Sequence, residues 1–159
     1  MKKEKVIEKI LALLRGEMEL FYKAAKASHE EATHEQNKAE NKYDTRGLEA
    51  AYLAGAQARQ AAAAEEAYKQ FAALSTVKLG PDEAVAPGAL VELETPDGPS
   101  FYFIGPKAGG LEVKMGKKEI VVLTPQSPLG GQLMGKKAGQ KFWLKNGPLA
   151  QEYHILSVA

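Results

Sequence analysis

The fold is decided by residues 7–25, which read IEKILALLRGEMELFYKAA. Apolar side chains recur through this segment at alternating steps of four and three residues: Ile7, Leu11, Leu14, Met18, Phe21 and Ala25. This spacing is typical of the seam along which one α-helix packs against another in a coiled coil. The segment therefore predicts a long helix that needs a helical partner.

A second helical segment over residues 48–74 can supply that partner. Its predicted contact positions are mostly small: Ala51, Gly55, Ala58, Ala62, Tyr68, Phe71 and Leu74. Large side chains on one helix and alanines on the other permit close antiparallel packing, and a polar stretch joins the two segments. We therefore predict an intrachain hairpin. Half of a four-helix bundle and a coiled-coil dimer remain alternatives, although no further long helix is available to complete a bundle.

The composition changes sharply after the second helix. Residues 1–75 contain no proline and three glycines, whereas all eight prolines and the other twelve glycines lie in residues 76–159. Proline and glycine both disfavour helix, so the first part is predicted to be helical and the second is not. We predict a helical hairpin over 1–75, a linker over 76–88 and a β-rich domain over 89–159.

The second part reads as a small sheet. Six apolar or alternating runs are separated by turn residues: Ala89–Leu93, Phe101–Ile104, Leu111–Met115, Ile120–Leu123, Phe142–Leu144 and Tyr153–Val158. Ser127 is a predicted N-cap, with Pro128 as the first residue of a short helix that ends at Gly135. We expect an antiparallel α+β domain whose aromatic side chains, including Trp143, belong to its core.

Composition also limits the classes of function. The formal net charge of +1 does not indicate general electrostatic attraction to nucleic acid. The chain has no cysteine, which excludes a disulfide framework, a cysteine-based zinc site and a thiol nucleophile. No run approaches the roughly 18 apolar residues of a membrane span, and no secretory signal is recognisable. We expect a cytoplasmic monomer without a membrane partner.

Charge is unevenly distributed along the predicted hairpin. Residues 1–28 carry a net charge of +3, and residues 29–49, which form the predicted tip, carry −3. The acids of the tip segment are Glu30, Glu31, Glu35, Glu40, Asp44 and Glu49. A solvated turn often carries charges. The other interpretation is that the tip presents carboxylates to a metal ion held by another molecule.

Two stretches resemble the GreA/GreB transcription elongation factors. Residues 38–44, KAENKYD, are similar to the Gly-Asp-Leu-x-Glu-Asn-x-Glu-Tyr tip of that family. Residues 127–140, SPLGGQLMGKKAGQ, resemble the family's C-terminal signature more closely. The resemblance implies an FKBP-like C-terminal domain that docks onto RNA polymerase. It also implies a coiled coil that enters the secondary channel, near the 3′ end of the nascent RNA.

The resemblance further implies a set of site residues. Glu40 matches one of the tip acids that help to hold the Mg²⁺ of RNA polymerase, whereas Asn37 stands where the family has Asp. Asp44 is a candidate replacement, because positions 40 and 44 share a face if the segment is helical. The other candidate tip residues are Glu35, Asn41 and Tyr43. The implied partner-binding residues are Ser127, Pro128, Gly130, Gly135, Lys136 and Lys137.

Three functions therefore remain open. The first is a factor that stimulates RNA cleavage by the polymerase without being an enzyme and without a cofactor of its own. The second is a regulator or inhibitor that occupies the secondary channel without supporting cleavage. The third is an FKBP-type prolyl isomerase with a helical appendage, which an assay on a model Xaa-Pro peptide would separate from the other two.

Overall fold

The computed structural model describes residues 1–34, 40, 45–74, 79–80 and 82–159. The helices and strands are α1 (Lys3–Thr33), α2 (Arg46–Leu74), β1 (Leu90–Thr95), β2 (Gly98–Ile104), β3 (Glu112–Met115), β4 (Lys118–Leu123), α3 (Pro128–Leu133), β5 (Lys141–Asn146) and β6 (Leu149–Val158). By contact the chain forms two compact units, one of Met1–Leu11 with Lys69–Ala159 and one of Ala12–Tyr68. The domain boundaries drawn from composition stay a prediction.

Helix α1 turns the predicted seam inward. Ile7 and Leu14 are buried, and Met18 and Phe21 are half-buried, whereas the charged residues between them are exposed. The step of three and four residues places these side chains along one stripe of the helix. The prediction of an amphipathic helix is confirmed, with Thr33 as its last residue.

The contact face predicted for α2 was only partly right: Phe71 is buried, and Gly55, Tyr68 and Leu74 are half-buried. Ala51, Ala58 and Ala62 are exposed. The buried alanines of this helix are instead Ala50, Ala54, Ala61, Ala64 and Ala67. Alanines occur on every side of α2, so the sequence pattern offers no apolar stripe from which one face could be chosen.

Hydrogen bonds between side chains reveal how the two helices pair. Arg15 Nη2 donates to the Tyr68 hydroxyl (2.9 Å), the Tyr22 hydroxyl donates to Glu65 Oε2 (3.0 Å), and the Ser28 hydroxyl donates to Gln57 Oε1 (2.8 Å). The later a residue lies in α1, the earlier its partner lies in α2. The helices are therefore antiparallel, and the predicted intrachain hairpin is confirmed.

The six strands form one sheet in the order β3-β4-β2-β1-β6-β5. All six predicted strands are present. The expectation of an antiparallel sheet holds for every neighbouring pair except β2 and β4, which are parallel. The chain reverses once between β2 and β3 and again in the β3–β4 hairpin, so β4 returns beside β2 in the original direction.

Both faces of the sheet are covered near its centre. One face packs a buried cluster that includes Val91, Leu93, Leu133 and Ile155, with Leu133 supplied by α3. On the other face Phe103 is fully buried, and its ring centroid lies 6.0 Å from that of Phe71, near the end of α2.

Gly105 shows how closely Phe71 approaches the sheet. A Cβ atom at this glycine would lie 2.5 Å from the ring of Phe71 and 2.9 Å from a methyl group of Val122. No larger residue fits here without displacing the ring, because packed interiors have no spare volume of that size. The last turn of α2 is therefore part of the sheet-containing unit.

Trp143 is not in the core, and this expectation was wrong. Its side chain is 64% exposed on β5, which is an edge strand. Successive side chains of a strand point to opposite faces, and the neighbouring Phe142 takes the inward position. The ring of Phe142 stacks on that of Tyr153 at 5.3 Å. Hydrophobicity alone does not reveal which of two adjacent aromatic residues points inward.

None of the helices in the described ranges is long and apolar enough to cross a membrane.

Candidate functional site

The two helices stop on either side of the candidate tip. At the end of α1 the Thr33 hydroxyl donates to the carbonyl oxygen of His29 (3.0 Å). At the start of α2 the Thr45 carbonyl accepts from the N–H of Glu49 (2.9 Å), and the Thr45 hydroxyl donates to Oε1 of the same glutamate (3.0 Å). The first of these bonds is made by the last residue of α1, and the other two by the residue that precedes α2.

Glu40 lies outside both helices and is exposed. The other candidate tip residues, Glu35, Asn37, Asn41, Tyr43 and Asp44, lie outside the described residues. The pairing of Glu40 with Asp44 on one face therefore stays a prediction. Among the described residues, no group of three or more His, Asp or Glu side chains is placed to hold a metal ion.

Apolar side chains near the tip were missed by the sequence interpretation. Leu48, Tyr52 and Leu53 lie in the first two turns of α2, and Tyr52 is the most exposed of them at 73%. Exposed tyrosine and leucine on a single helix are candidates for partner contacts, because aromatic residues often supply much of the binding energy of an interface. Tyr52 and Leu53 follow Leu48 by four and five residues, a spacing that places all three near one side of a helix. This spacing was not used to predict partner contacts.

The serine of the C-terminal signature caps α3. The Ser127 hydroxyl accepts a hydrogen bond from the N–H of Gly130 (3.0 Å) and donates to the carbonyl of Thr124 (2.8 Å). Pro128 follows in the first turn, where its missing N–H and fixed φ are favourable. The predicted cap is confirmed, and the short helix ends at Leu133, two residues before Gly135.

Two glycines of the signature are required by the backbone. A Cβ atom on the buried Gly130 would lie 2.0 Å from the carbonyl oxygen of Thr124. Gly135 has a φ of +79°, which favours glycine, and its N–H donates to the carbonyl of Val85 (2.9 Å). These residues hold the segment after β4 in place, which is a structural reason for the signature at both positions.

The lysines of the signature differ in exposure. Lys136 is half-buried, with its ammonium group 5.5 Å from the centroid of the Phe142 ring. Lys137 is exposed, while its backbone N–H donates to Oε1 of Gln140 (2.7 Å). Lys141, on β5, forms an ion pair of 3.3 Å with Glu152. Of the implied partner-binding residues, Lys137 is the one whose side chain is most available to another molecule.

Trp143 adds an aromatic group to this edge of the sheet. It lies on β5 between Lys141 and Lys145, and residues two apart on a strand share a face. All three side chains are exposed. An exposed tryptophan flanked by lysines is the kind of surface that binds an apolar and acidic partner segment.

Among solved structures, the chain is similar to several Gfh1 proteins. One, described as the transcription factor Gfh1, is 24% identical, with a TM-score of 0.40 over 96% of this chain and 92% of the other. Gfh1 of Thermus thermophilus, described as a GreA factor homolog, is 20% identical, with a TM-score of 0.39 over 96% and 94%.

Gfh1 of Thermus aquaticus is 21% identical, with a TM-score of 0.38 over 96% of this chain and 93% of the other. No protein-family model and no curated protein matches the chain.

Proposed function

We propose that this chain is a transcription elongation factor of the GreA/GreB type. In this proposal it binds RNA polymerase, inserts its helical hairpin into the secondary channel and promotes cleavage of backtracked RNA. The observation that carries the proposal is the antiparallel hairpin, whose helices end at Thr33 and begin again at Arg46 with the exposed Glu40 between them. The signature over 127–140 supports the same assignment.

The hairpin has the dimensions for this task. Helix α1 has 31 residues and α2 has 29. At 1.5 Å per residue the parts of these helices that lie outside the sheet-containing unit, 12–33 and 46–68, are roughly 33–35 Å long, which is enough to carry a small polar tip into a channel. The surface near the tip includes Leu48 and Tyr52, whose exposed apolar groups are suited to contact a channel wall.

The chemistry of cleavage would be shared between two molecules. Carboxylates are preferred ligands of Mg²⁺, and a bound Mg²⁺ lowers the pKa of water and so generates the attacking nucleophile. In the proposal the ion belongs to the polymerase, and Glu40 and Asp44 add oxygen ligands or orient the water. The chain itself would then need neither a metal nor a cofactor.

The sheet-containing unit is the proposed docking module. Lys137, Lys141, Trp143 and Lys145 are exposed at or near the β5 edge of the sheet. A tryptophan supplies contact area, and Lys137 and Lys145 favour an acidic partner surface, whereas the charge of Lys141 is offset by its ion pair with Glu152. The RNA polymerase segment that binds here is therefore expected to be acidic with an apolar centre.

RNA cleavage in a stalled, backtracked elongation complex tests the proposal. The assay contains polymerase from the same organism, Mg²⁺ and the chain, and it measures the rate at which short 3′ fragments appear. The variant Glu40→Ala with Asp44→Ala should abolish the acceleration and leave polymerase binding nearly unchanged. The control, Glu17→Ala with Glu19→Ala, removes two exposed acids from α1 and should retain cleavage. Full cleavage by the tip variant would remove both acids from the mechanism.

A channel-occupying regulator is the second candidate function. It is favoured by Asn37, which stands where the resemblance expects an aspartate. This function predicts no acceleration of cleavage together with competition against an authentic cleavage factor for the polymerase. Absence of both cleavage and competition would refute both functions.

A further inference from the structure

A basic pocket lies between the start of α1 and the turn that joins β3 to β4. Both segments belong to the sheet-containing unit. The cavity has a volume of about 490 Å³ and is lined by Lys2, Lys5, Lys9 and Lys118, with Met1 and Met115 as its apolar groups. No carboxylate of the described chain lines it. Four lysines therefore line one small cavity without a carboxylate among its described lining residues.

Two of the lysines are held in place by contacts that leave N–H donors available. Lys9 Nζ donates to the carbonyl oxygen of Lys114 on β3 (2.6 Å), which occupies one of its three N–H groups. The Lys118 ammonium lies 4.2 Å from the centroid of the Phe101 ring, an attraction that uses its charge rather than its donors. Both groups are thus oriented before any ligand arrives.

The arrangement is unfavourable for α1 itself. Lys2, Lys5 and Lys9 follow one another at steps of three and four residues, so their like charges are neighbours on the helix surface. Lys2 and Lys5 also lie beside and within the first turn of the helix, where the macrodipole favours negative groups. An acidic side chain in the lining would offset both effects, but the described lining contains none. A multivalent anion bound in the pocket would offset them instead.

We propose that this pocket binds a free nucleoside polyphosphate. Lysine ammonium groups act as point charges toward phosphate oxygens, and four of them suit a chain of two or three phosphates. The volume lies within the range of small-ligand sites and does not suggest an extended groove for a strand. The thioethers of Met1 and Met115 offer a polarizable surface on which an aromatic base can rest. This site is separate from the proposed function and does not rest on it.

Isothermal titration calorimetry on the full chain tests this site, with ATP, tripolyphosphate and adenosine as probes. ATP and tripolyphosphate should bind, adenosine should not, and added salt should weaken binding because these charges are exposed. The variant Lys2→Gln with Lys5→Gln should bind ATP about tenfold or more weakly. The control variant, Lys23→Gln with Lys26→Gln, removes two exposed charges of α1 away from the pocket and should bind as the parent does.

Backbone amide NMR shifts locate the ligand. ATP should shift the Gly116 and Lys118 signals. Circular dichroism establishes that the variants fold, and Lys118→Gln, outside the helix, is a second variant that should also weaken binding.

The proposal is overturned by no binding of ATP, by equal effects of the pocket and control variants, or by adenosine binding as well as ATP does. Tighter binding of a short single-stranded RNA to the same residues would assign the pocket to nucleic-acid phosphates and overturn it too.

Discussion

Replacing Gly130 by alanine tests whether this glycine of the C-terminal signature is required by the fold. The residue is buried in α3, and a Cβ atom would lie 2.0 Å from the backbone oxygen of Thr124 and 2.7 Å from Ser127 Oγ. A contact of 2.0 Å with backbone cannot be relieved by turning a flexible side chain. The segment before α3 must move, and the hydrogen bond from the N–H of Gly130 to Ser127 Oγ is lost or lengthened with it.

The size of the effect follows from three contributions. Overpacking costs roughly 1–3 kcal/mol, and loss of the N-cap bond costs about 1 kcal/mol. Alanine has a higher helix propensity than glycine, and this difference raises the free energy of unfolding by up to about 1 kcal/mol. We therefore expect Gly130→Ala to lower the free energy of unfolding by roughly 1–3 kcal/mol.

Gly16→Ala is the matched control, since it makes the same change inside a helix. No atom lies within 4 Å of a Cβ built at Gly16. The free energy of unfolding of this variant should therefore rise by up to about 1 kcal/mol, because alanine has the higher helix propensity. The two substitutions should change stability in opposite directions.

Urea unfolding measures both effects. The fluorescence of Trp143, the single tryptophan, reports on the unit that contains Gly130, and far-UV circular dichroism reports mainly on the helices. A Gly130→Ala variant that is as stable as the parent protein would refute the steric reasoning. If such a variant also lost polymerase binding, Gly130 would be a partner contact rather than a structural residue.

Further substitutions test the burial of Phe71, with the exposed Tyr52 as its control, and the burial of Lys3. Phe71→Ala should lower the free energy of unfolding by roughly 3–5 kcal/mol in urea, because the ring is fully buried, whereas Tyr52→Ala at an exposed site should change it by less than about 0.5 kcal/mol. Burial lowers the pKa of Lys3 below 10.5, against the opposing charges of Glu4 and Glu83. The unfolded chain therefore binds this proton more tightly, so stability should rise with pH from the lowered pKa towards 10.5. Lys3→Met should remove that rise, and an unchanged pH profile would contradict the assignment.

The fold was predictable where the sequence alternates clearly between apolar and polar residues. The seam of α1 and the six strands each have a period that fits only one type of element. Helix α2 has no such contrast, since its alanines surround the axis, and its true contact face depends on specific partners such as Gln57 and Glu65. The burial of Ala50 and Ala54 beside the exposed Ala51 and Ala58 could not be predicted from the sequence, because all four are the same residue type.

The candidate site was predictable in part. Ser127 and Gly135 have the cap and the positive φ that their residue types suggested. The exposed positions of Tyr52 and Trp143 were not predictable, because they depend on which side of a helix or an edge strand faces solvent. The basic pocket joins residues more than 100 positions apart in sequence, as the Lys9–Lys114 bond illustrates, so no local pattern could have indicated it.

The discontinuous make-up of the sheet-containing unit has a consequence for synthesis on the ribosome. Met1–Leu11 emerges before the strands of its unit, which come from the far end of the chain. Residues 12–68 can pair as a local hairpin before those strands are made, because helix contacts of short loop length form early. Val6, Ile7 and Ile10 are buried in the finished protein, so their apolar surface stays exposed on the nascent chain until the rest of their unit has emerged. Chaperone binding to stalled nascent chains should therefore concentrate on Met1–Leu11 and cease only after the strands of that unit have emerged.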